Sequence, residues 1–119
     1  MQGLINKRTL AKGEVDLRVG NEARVAALEI GNFDLTLPSG LVILLKNCYY
    51  VPAMSRNIIS VSCSDMDGFI FIIKDNVIPI HREDMFCGNA LLSNGLYILD
   101  LENHKPIITL ILNGLNQTS

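Results

Sequence analysis

Short apolar runs of strand length, each cut off by Gly, Asn or Pro, set the limits on what this chain can fold into. Val15, Leu17 and Val19 alternate with Glu14, Asp16 and Arg18, the period of a half-buried strand. Gly20-Asn21 supplies a turn, Arg24–Ile30 a second strand and Gly31-Asn32 a second turn, since Gly and Asn tolerate positive φ. Phe33, Leu35 and Leu37 alternate with Asp34 and Thr36 to give a third strand. Pro38-Ser39-Gly40 turns the chain into Leu41–Leu45, Lys46-Asn47 turns it into Cys48–Val51, and Pro52 stops that fifth strand. Five strands this closely spaced argue for antiparallel hairpins. Closing them into a small barrel hides edges that would otherwise invite aggregation.

Beyond Pro52 the pattern changes. Ile58, Ile59, Ser62 and Met66 are spaced for one helical face, so a short helix is expected within 57–66, ended by Asp67-Gly68 with Gly suited to a left-handed cap. Phe69–Ile73 and Val77–Ile80 form a hairpin around Lys74-Asp75-Asn76. Met85–Cys87 and Ala90–Leu92 form a shorter pair around Gly88-Asn89, and Ser93-Asn94-Gly95 turns into a final strand, Leu96–Leu101. After Glu102 comes an apolar run, Pro106–Leu112, and then a polar end. The expectation is an all-β fold, a small antiparallel barrel with at most one short helix. It is organised as an N-terminal arm (1–13), a β-barrel domain (14–102) and a divergent C-terminal tail (103–119). Tyr50, Val51, Ile58, Ile59 and Val61 are the expected core residues.

The totals agree with one domain. Of 119 residues, 49% are apolar and 18% charged, enough to bury a core and too apolar for a disordered segment. The net charge is −2. Lys7, Arg8 and Lys12 form the one local basic cluster and are expected to be solvated, so no direct nucleic-acid binding is expected. Cys48, Cys63 and Cys87 are odd in number and widely spaced. They are expected to be reduced, mostly buried thiols of an intracellular, cytoplasmic protein rather than a disulfide framework. Residues 1–12 carry three cations and no apolar core of a signal peptide. No run approaches the ~20 apolar residues of a membrane span, so no membrane partner is expected. Asn116-Gln117-Thr118 fits a glycosylation pattern by chance.

The stretch Leu45-Lys46-Asn47-Cys48-Tyr49-Tyr50-Val51-Pro52-Ala53-Met54-Ser55-Arg56-Asn57-Ile58-Ile59-Ser60-Val61-Ser62 resembles the L-x-N-V-L-Y-V-P-x-L-x-x-N-L-L-S-V-S signature of copia-type retrotransposon Gag-Pol polyproteins. Leu10 to Asn21 resembles the entry strands of plant elements of this type, with their V-x-V-G-N-G segment. Pro38-Ser39-Gly40-Leu41 resembles the turn that follows. Asp67-Gly68-Phe69 with Phe71-Ile72-Ile73-Lys74 resembles a D-x-x-G-F-x-F strand, and Asn94-Gly95-Leu96-Tyr97-Ile98-Leu99 resembles the N-G-L-Y-x-L that leads toward the pre-integrase segment. The resemblance covers about residues 8 to 102. It implies the retropepsin-like β-barrel of the protease region, ahead of the integrase, and a parent activity of aspartic endopeptidase cleavage within the particle. Glu22 stands where the family commonly has Gly, so that turn loses a flexible residue.

The family's nucleophile is an Asp in an Asp-Ser/Thr-Gly triplet upstream of these motifs. An aspartic protease needs two carboxylates sharing one proton. None of Asp16, Asp34, Asp65, Asp67, Asp75, Asp84 and Asp100 opens such a triplet. Ser39-Gly40 has its last two letters, but Pro38 replaces the acid. Asp65-Met66-Asp67-Gly68 is the nearest miss and reads as a helix end and turn. Glu14, Glu22, Glu29, Glu83 and Glu102 also lack Ser/Thr-Gly support. His81 and Cys87, with Glu83 and Asp84 between them, are a candidate zinc set whose ordinary reading is a polar loop and one buried thiol. His104 stands alone, and the chain has no C-x-x-C or G-x-S-x-G. No catalytic, cofactor-binding or metal residue is therefore assigned, and no cofactor is expected. The preferred reading is a fragment of a copia-type polyprotein, with Met1 marking a truncated or mispredicted frame, inactive alone. Its expected partners are the polyprotein or a second copy. A domesticated, non-catalytic interaction module is the alternative, and an active dimeric endopeptidase using Asp67 or another acid is the second.

Overall fold

The structure, a computed structural model, describes residues 3–19, 23–37, 39–53, 56–63, 66, 68–72, 74, 76–93, 96–100 and 108–113. Its strands are β1 (Ile5–Thr9), β2 (Asp16–Val19), β3 (Ala23–Ala26), β4 (Glu29–Thr36), β5 (Val42–Ala53), β6 (Arg56–Ser62), β7 (Phe69–Phe71), β8 (Val77–Arg82), β9 (Met85–Ser93), β10 (Leu96–Asp100) and β11 (Ile108–Asn113). Nine of them form one sheet in the order β1-β4-β5-β6-β11-β10-β9-β8-β7, while β2 and β3 form a separate hairpin. The all-β class holds, with no α-helix among the described residues.

The sheet curls until its two halves meet. Phe33, Leu35 and Leu37 from β4 and its end, and Ile43, Leu45 and Cys48 from β5, share one core with Ile78 and Ile80 of β8, Cys87 and Ala90 of β9, and Tyr97 and Leu99 of β10. Among the described residues no ladder joins the edge strands β1 and β7, so the barrel-like form rests on side-chain packing. A second core covers the outer face of the central strands. There Val51, Ile58, Leu96 and Ile111 pack with Leu10 and Ala27, and Val15, Leu17 and Val25 of the β2–β3 region close over them. Backbone hydrogen bonds tie this cover down: Leu28 N–H donates to the Tyr50 carbonyl at 2.9 Å and Leu10 N–H to the Leu28 carbonyl at 2.8 Å.

Several sequence expectations need correction. The helix expected at 57–66 is strand β6 over Arg56–Ser62. Ile58 packs into the outer core and Ile59 into the inner one. With both faces covered, adjacent residues are apolar and the period of two disappears. Three expected turns lie inside strands: Gly31-Asn32 in β4, Lys46-Asn47 in β5 and Gly88-Asn89 in β9. Each sits in or opposite an irregularity of register. Gly31 pairs with Cys48 and Phe33 with Leu45, so β5 carries one extra residue where Asn47 adopts φ 57°. Likewise Ile80 pairs with Gly88 but His81 with Phe86, leaving Cys87 extra in β9. The same tolerance of unusual φ that makes a turn also makes a bulge. Strand β5 runs past Pro52 to Ala53, where a missing N–H near a strand end costs little.

The pairing is antiparallel except for β11, which runs parallel to β6 from Ile108↔Asn57 to Asn113↔Ser62. Residues 5–9 and 108–113, read from sequence within an arm and a tail, are strands of the main sheet. The expected β7–β8 hairpin forms. A hairpin not foreseen joins β8 to β9 through Glu83-Asp84, whose φ values of 50° and 67° suit a two-residue turn matching the strand twist. The residues of the expected turns at Gly20-Asn21 and Asn94-Gly95 lie outside the described residues, as do Pro38, Ile73 and Asp75.

Of the expected core residues, Val51, Ile58, Ile59 and Val61 are at most 1% exposed, while Tyr50 is half-buried. Ile59→Ala is expected to cost ~2–5 kcal/mol, read as a lower midpoint in urea unfolding; an unchanged midpoint would contradict the core described. Gly31→Ala tests the close crossing of β1. A Cβ there would lie 2.8 Å from the Ile5 carbonyl oxygen and 3.0 Å from the Lys7 Cα. Relief by backbone movement is expected to cost ~1–3 kcal/mol, whereas Gly40→Ala, with open space around it but φ 91°, should report backbone strain alone.

Candidate functional site

The residues that carry chemistry are dispersed by the fold. Asp16 is exposed on β2 and Asp34 half-buried on β4. Glu83 and Asp84 form the exposed β8–β9 turn. Asp65, Asp67, Asp75, Glu22, Glu102 and His104 lie outside the described residues. Among the described residues no group of three His, Cys, Asp or Glu side chains is placed to hold a metal ion. The candidate zinc pair is split by the strand itself. His81 is half-buried, its Nδ1 shielded from solvent with no hydrogen-bond partner among the described residues and its ring edge-on to Phe86 at 5.5 Å. Cys87 belongs to the inner core, and its thiol donates to the Met85 carbonyl at 3.7 Å. Adjacent residues of a strand point to opposite faces, so Cys87 turns inward beside an outward Phe86.

The basic cluster is tied to carboxylates. Lys7 Nζ lies 3.3 Å from Glu29 and an Arg8 guanidinium nitrogen 3.1 Å from Glu14. Glu14 also accepts the Ala11 N–H at 2.9 Å. That backbone hydrogen bond, and then the Arg8 guanidinium, hold the Glu14 carboxyl below the usual carboxylate range. This clasp closes the loop between β1 and β2 and was not legible beforehand, although an Arg six residues before a Glu across a Gly-containing turn is a signal for it.

All three cysteines are free. Cys48 and Cys87 are buried and Cys63 is half-buried. Burial raises the Cys87 thiol, against a lowering influence of Arg82, and pushes Cys63 up to about 11. Neither environment makes a nucleophile, because reactivity follows the thiolate. Tyr97 is buried, and its hydroxyl has no hydrogen-bond partner among the described residues.

Exposed apolar side chains gather in two places. Leu41, Val42 and Leu44 stand at the start of β5, and at the other end of the sheet Ile70 on edge strand β7, Ile72 just after it, Val77 on β8 and Phe86 on β9 are 57%, 45%, 41% and 55% exposed. Ile70 stands opposite His81, which stands opposite Phe86, so the three form a row across the strands.

Cys63 gives a test of this chemistry. At pH 8 a thiol with pKa near 11 is ionised in roughly one molecule in a thousand, against about one in four for an ordinary cysteine. Labelling of Cys63 by a disulfide reagent at pH 8 is expected to be slowed at least tenfold relative to the unfolded chain. The folded pKa lies above the unfolded one, so the protonated thiol's contribution to stability is full below about pH 8.5 and lost as pH rises toward about 11. Cys63→Ser should remove that part of the alkaline slope. Fast labelling in the folded protein would contradict the burial described.

The segment from β1 to the start of β7 carries the likeness to known proteins. Residues 5–69, over half of the chain, match the family model described as Pol polyprotein, beta-barrel domain. Neither a curated protein nor a solved structure matches the chain. The matched segment holds the β4–β5 ladder with its bulge and the β5–β6 hairpin, whose side chains enter both cores. With that match over strands that the structure builds as an all-β sheet, the chain belongs to the family of Pol polyprotein beta-barrel domains.

Proposed function

We propose that this chain is the β-barrel of a copia-type retrotransposon Gag-Pol polyprotein, retropepsin-like in ancestry and non-catalytic as it stands. The observation that carries the reading is a division of labour within residues 45–62. This is the stretch that resembles the copia-type signature, and its described apolar residues are scaffold. Leu45, Cys48, Val51, Ile58, Ile59 and Val61 are at most 2% exposed. No Asp-Ser/Thr-Gly triplet occurs in the 119 residues. A carboxylate pair lowers the barrier to peptide hydrolysis only when held against a water and a carbonyl with one member protonated. This chain supplies the barrel without the loop that holds such a pair. Its place is then inside the cell, in the particle formed by the polyprotein, and its partners are other parts of that polyprotein.

The exposed apolar row Ile70, Ile72 and Phe86 favours a second reading, a domesticated interaction module with the same fold. Expression of a free 119-residue protein from its own transcript would favour that reading over the polyprotein one.

The expected result for the purified chain is no cleavage of a polyprotein junction peptide at mildly acidic pH. A version joined to an Asp-Ser/Thr-Gly segment of a copia-type protease is expected to cleave it. Cleavage by the 119-residue chain, abolished by Asp67→Asn, would overturn the proposal in favour of a dimeric endopeptidase.

A further inference from the structure

Edge strand β1 gives the sheet no buried side chain of its own. All five of its residues, Ile5–Thr9, are exposed, whereas the opposite edge strand packs Phe69 and Phe71 against the inner core. Its ladder with β4 is broken by a bulge, since Ile5 pairs with Asn32 but Arg8 with Ile30, and Asn6 there adopts φ 50°. Among the described residues no strand lies on its outer side. Its apolar hold comes from one side chain beyond each end: Leu4 enters the inner core and Leu10 the outer one.

Ion pairs add to that hold. Lys7 reaches Glu29 on β4 at 3.3 Å, and Arg8 reaches Glu14, in the loop after β1, at 3.1 Å. Glu14 also accepts the Ala11 N–H at 2.9 Å, so this clasp grips the chain on both sides of Leu10. The Lys7 and Arg8 side chains are 54% and 62% exposed, and exposed ion pairs are weak and screened by salt. The layer beneath is fastened without β1. Ala27 N–H donates to the Val15 carbonyl and Leu28 N–H to the Tyr50 carbonyl, both at 2.9 Å. Those bonds tie the β2–β3 cover to β5 and hold the residue next to Glu14 in place.

We infer that β1 is an ion-latched strap, which lifts from β4 as a unit between Leu4 and Leu10 and opens the β4 edge while the rest of the sheet stays folded. Segments open sub-globally where few apolar contacts are buried and the backbone hydrogen bonds lie at the surface. Strand β1 meets both conditions. Lifting it parts Lys7 from Glu29, and it draws Arg8 away from Glu14, whose neighbour Val15 stays bonded to Ala27. No side chain interlocks at the crossing over Gly31. There the Ile5 carbonyl oxygen and the Lys7 Cα stand 2.8 Å and 3.0 Å from where a Cβ would be, so the strap lies on bare backbone. What it uncovers is a strip of β4 backbone beside that glycine. The inference does not depend on the polyprotein reading.

The test is native-state hydrogen exchange on the full chain. The Leu10 amide, donating to the Leu28 carbonyl at 2.8 Å, reports the strap, and the Leu28 amide, donating to Tyr50, reports the layer beneath. Corrected for intrinsic rates, Leu10 is expected to exchange about tenfold faster than Leu28 or more, with little dependence on sub-denaturing urea. Raising NaCl from about 0.05 M to about 1 M, or the substitution Glu14→Gln, should speed Leu10 about threefold or more and leave Leu28 unchanged. Lys46→Gln, which removes an exposed cation of β5, should change neither. Gly31→Ala, which crowds β1 without touching a charge, should speed Leu10 as well. Equal protection of Leu10 and Leu28, lost only with global unfolding, would overturn the inference. So would Leu10 exchange indifferent to salt and Glu14→Gln, or to Gly31→Ala. None of these outcomes bears on peptidase activity, so the two proposals fail separately.

Discussion

The main sheet is continuous only because β11 lies between β6 and β10. It pairs in parallel with β6 along its whole length and antiparallel with β10 at Tyr97↔Leu112 and Ile98↔Ile111. Without it the pairing would leave two four-stranded pieces, β1-β4-β5-β6 and β10-β9-β8-β7. A parallel pair cannot be made by a tight hairpin, and here its strands are far apart in the chain. Ser60 and Asn113, joined by a side-chain hydrogen bond, are separated by 53 residues. Contacts so distant in sequence form late, after loop closure has been met. The cooperativity of the fold therefore depends on residues near the C-terminal end reaching the centre of the sheet.

Burial on both faces makes that central position stable. Leu110 and Leu112 enter the inner core, and Ile111, fully buried, enters the outer one. The same division holds for Ile59 and Val61 against Ile58, and for Tyr97 and Leu99 against Leu96. Each large apolar side chain removed from water contributes ~1.5–3 kcal/mol. The β2–β3 hairpin is what makes the outer positions dry. Ser60, wholly buried between Ile59 and Val61, is the exception in this apolar layer, and its hydroxyl accepts from the Asn113 amide. A buried polar group needs a partner, and this one is satisfied only when β11 is in register.

What the sequence made legible, and what it hid, follows from the same two facts. Where one face is covered and the other wet, as over Phe33, Leu35 and Leu37, alternation is plain and the strand was readable. Where both faces are covered, Asn57-Ile58-Ile59-Ser60-Val61-Ser62 loses its alternation, and spacing alone cannot separate strand from helix. Gly-Asn and Lys-Asn pairs were readable as sites of unusual backbone, but not as bulges rather than turns. That choice is made by the partner strand. Gly31 lies in β4 because β1 passes 2.8 Å from where its Cβ would stand, a tertiary fact. The partner of β11 was hidden for the same reason, since nothing local tells Ile108–Asn113 to run parallel to β6. As for a site, the sequence contains no triplet and no ligand cluster, and the described residues bring none together.

Family membership here speaks to scaffold more than to chemistry. The matched residues, 5–69, hold most of the largest fully buried side chains among the described residues, and buried apolar positions specify a fold without specifying a reaction. Chemistry would have to come from side chains that face outward or into a cleft. Among the described carboxylates, Glu14 and Glu29 are paired with cations, and Glu83 and Asp84 form a turn. A carboxylate stabilised as an anion by a guanidinium and a backbone N–H is the opposite of one poised to share a proton. The electrostatics of Glu14 therefore serve the closure of the β1–β2 loop. The exposed apolar side chains at β7 to β9, Ile70, Ile72, Val77 and Phe86, stand in the same part of the sheet as the charged Arg82, Glu83 and Asp84, outside the matched residues. With its inner and outer cores closed and its loop carboxylate already engaged, the described part of the domain is organised as scaffold.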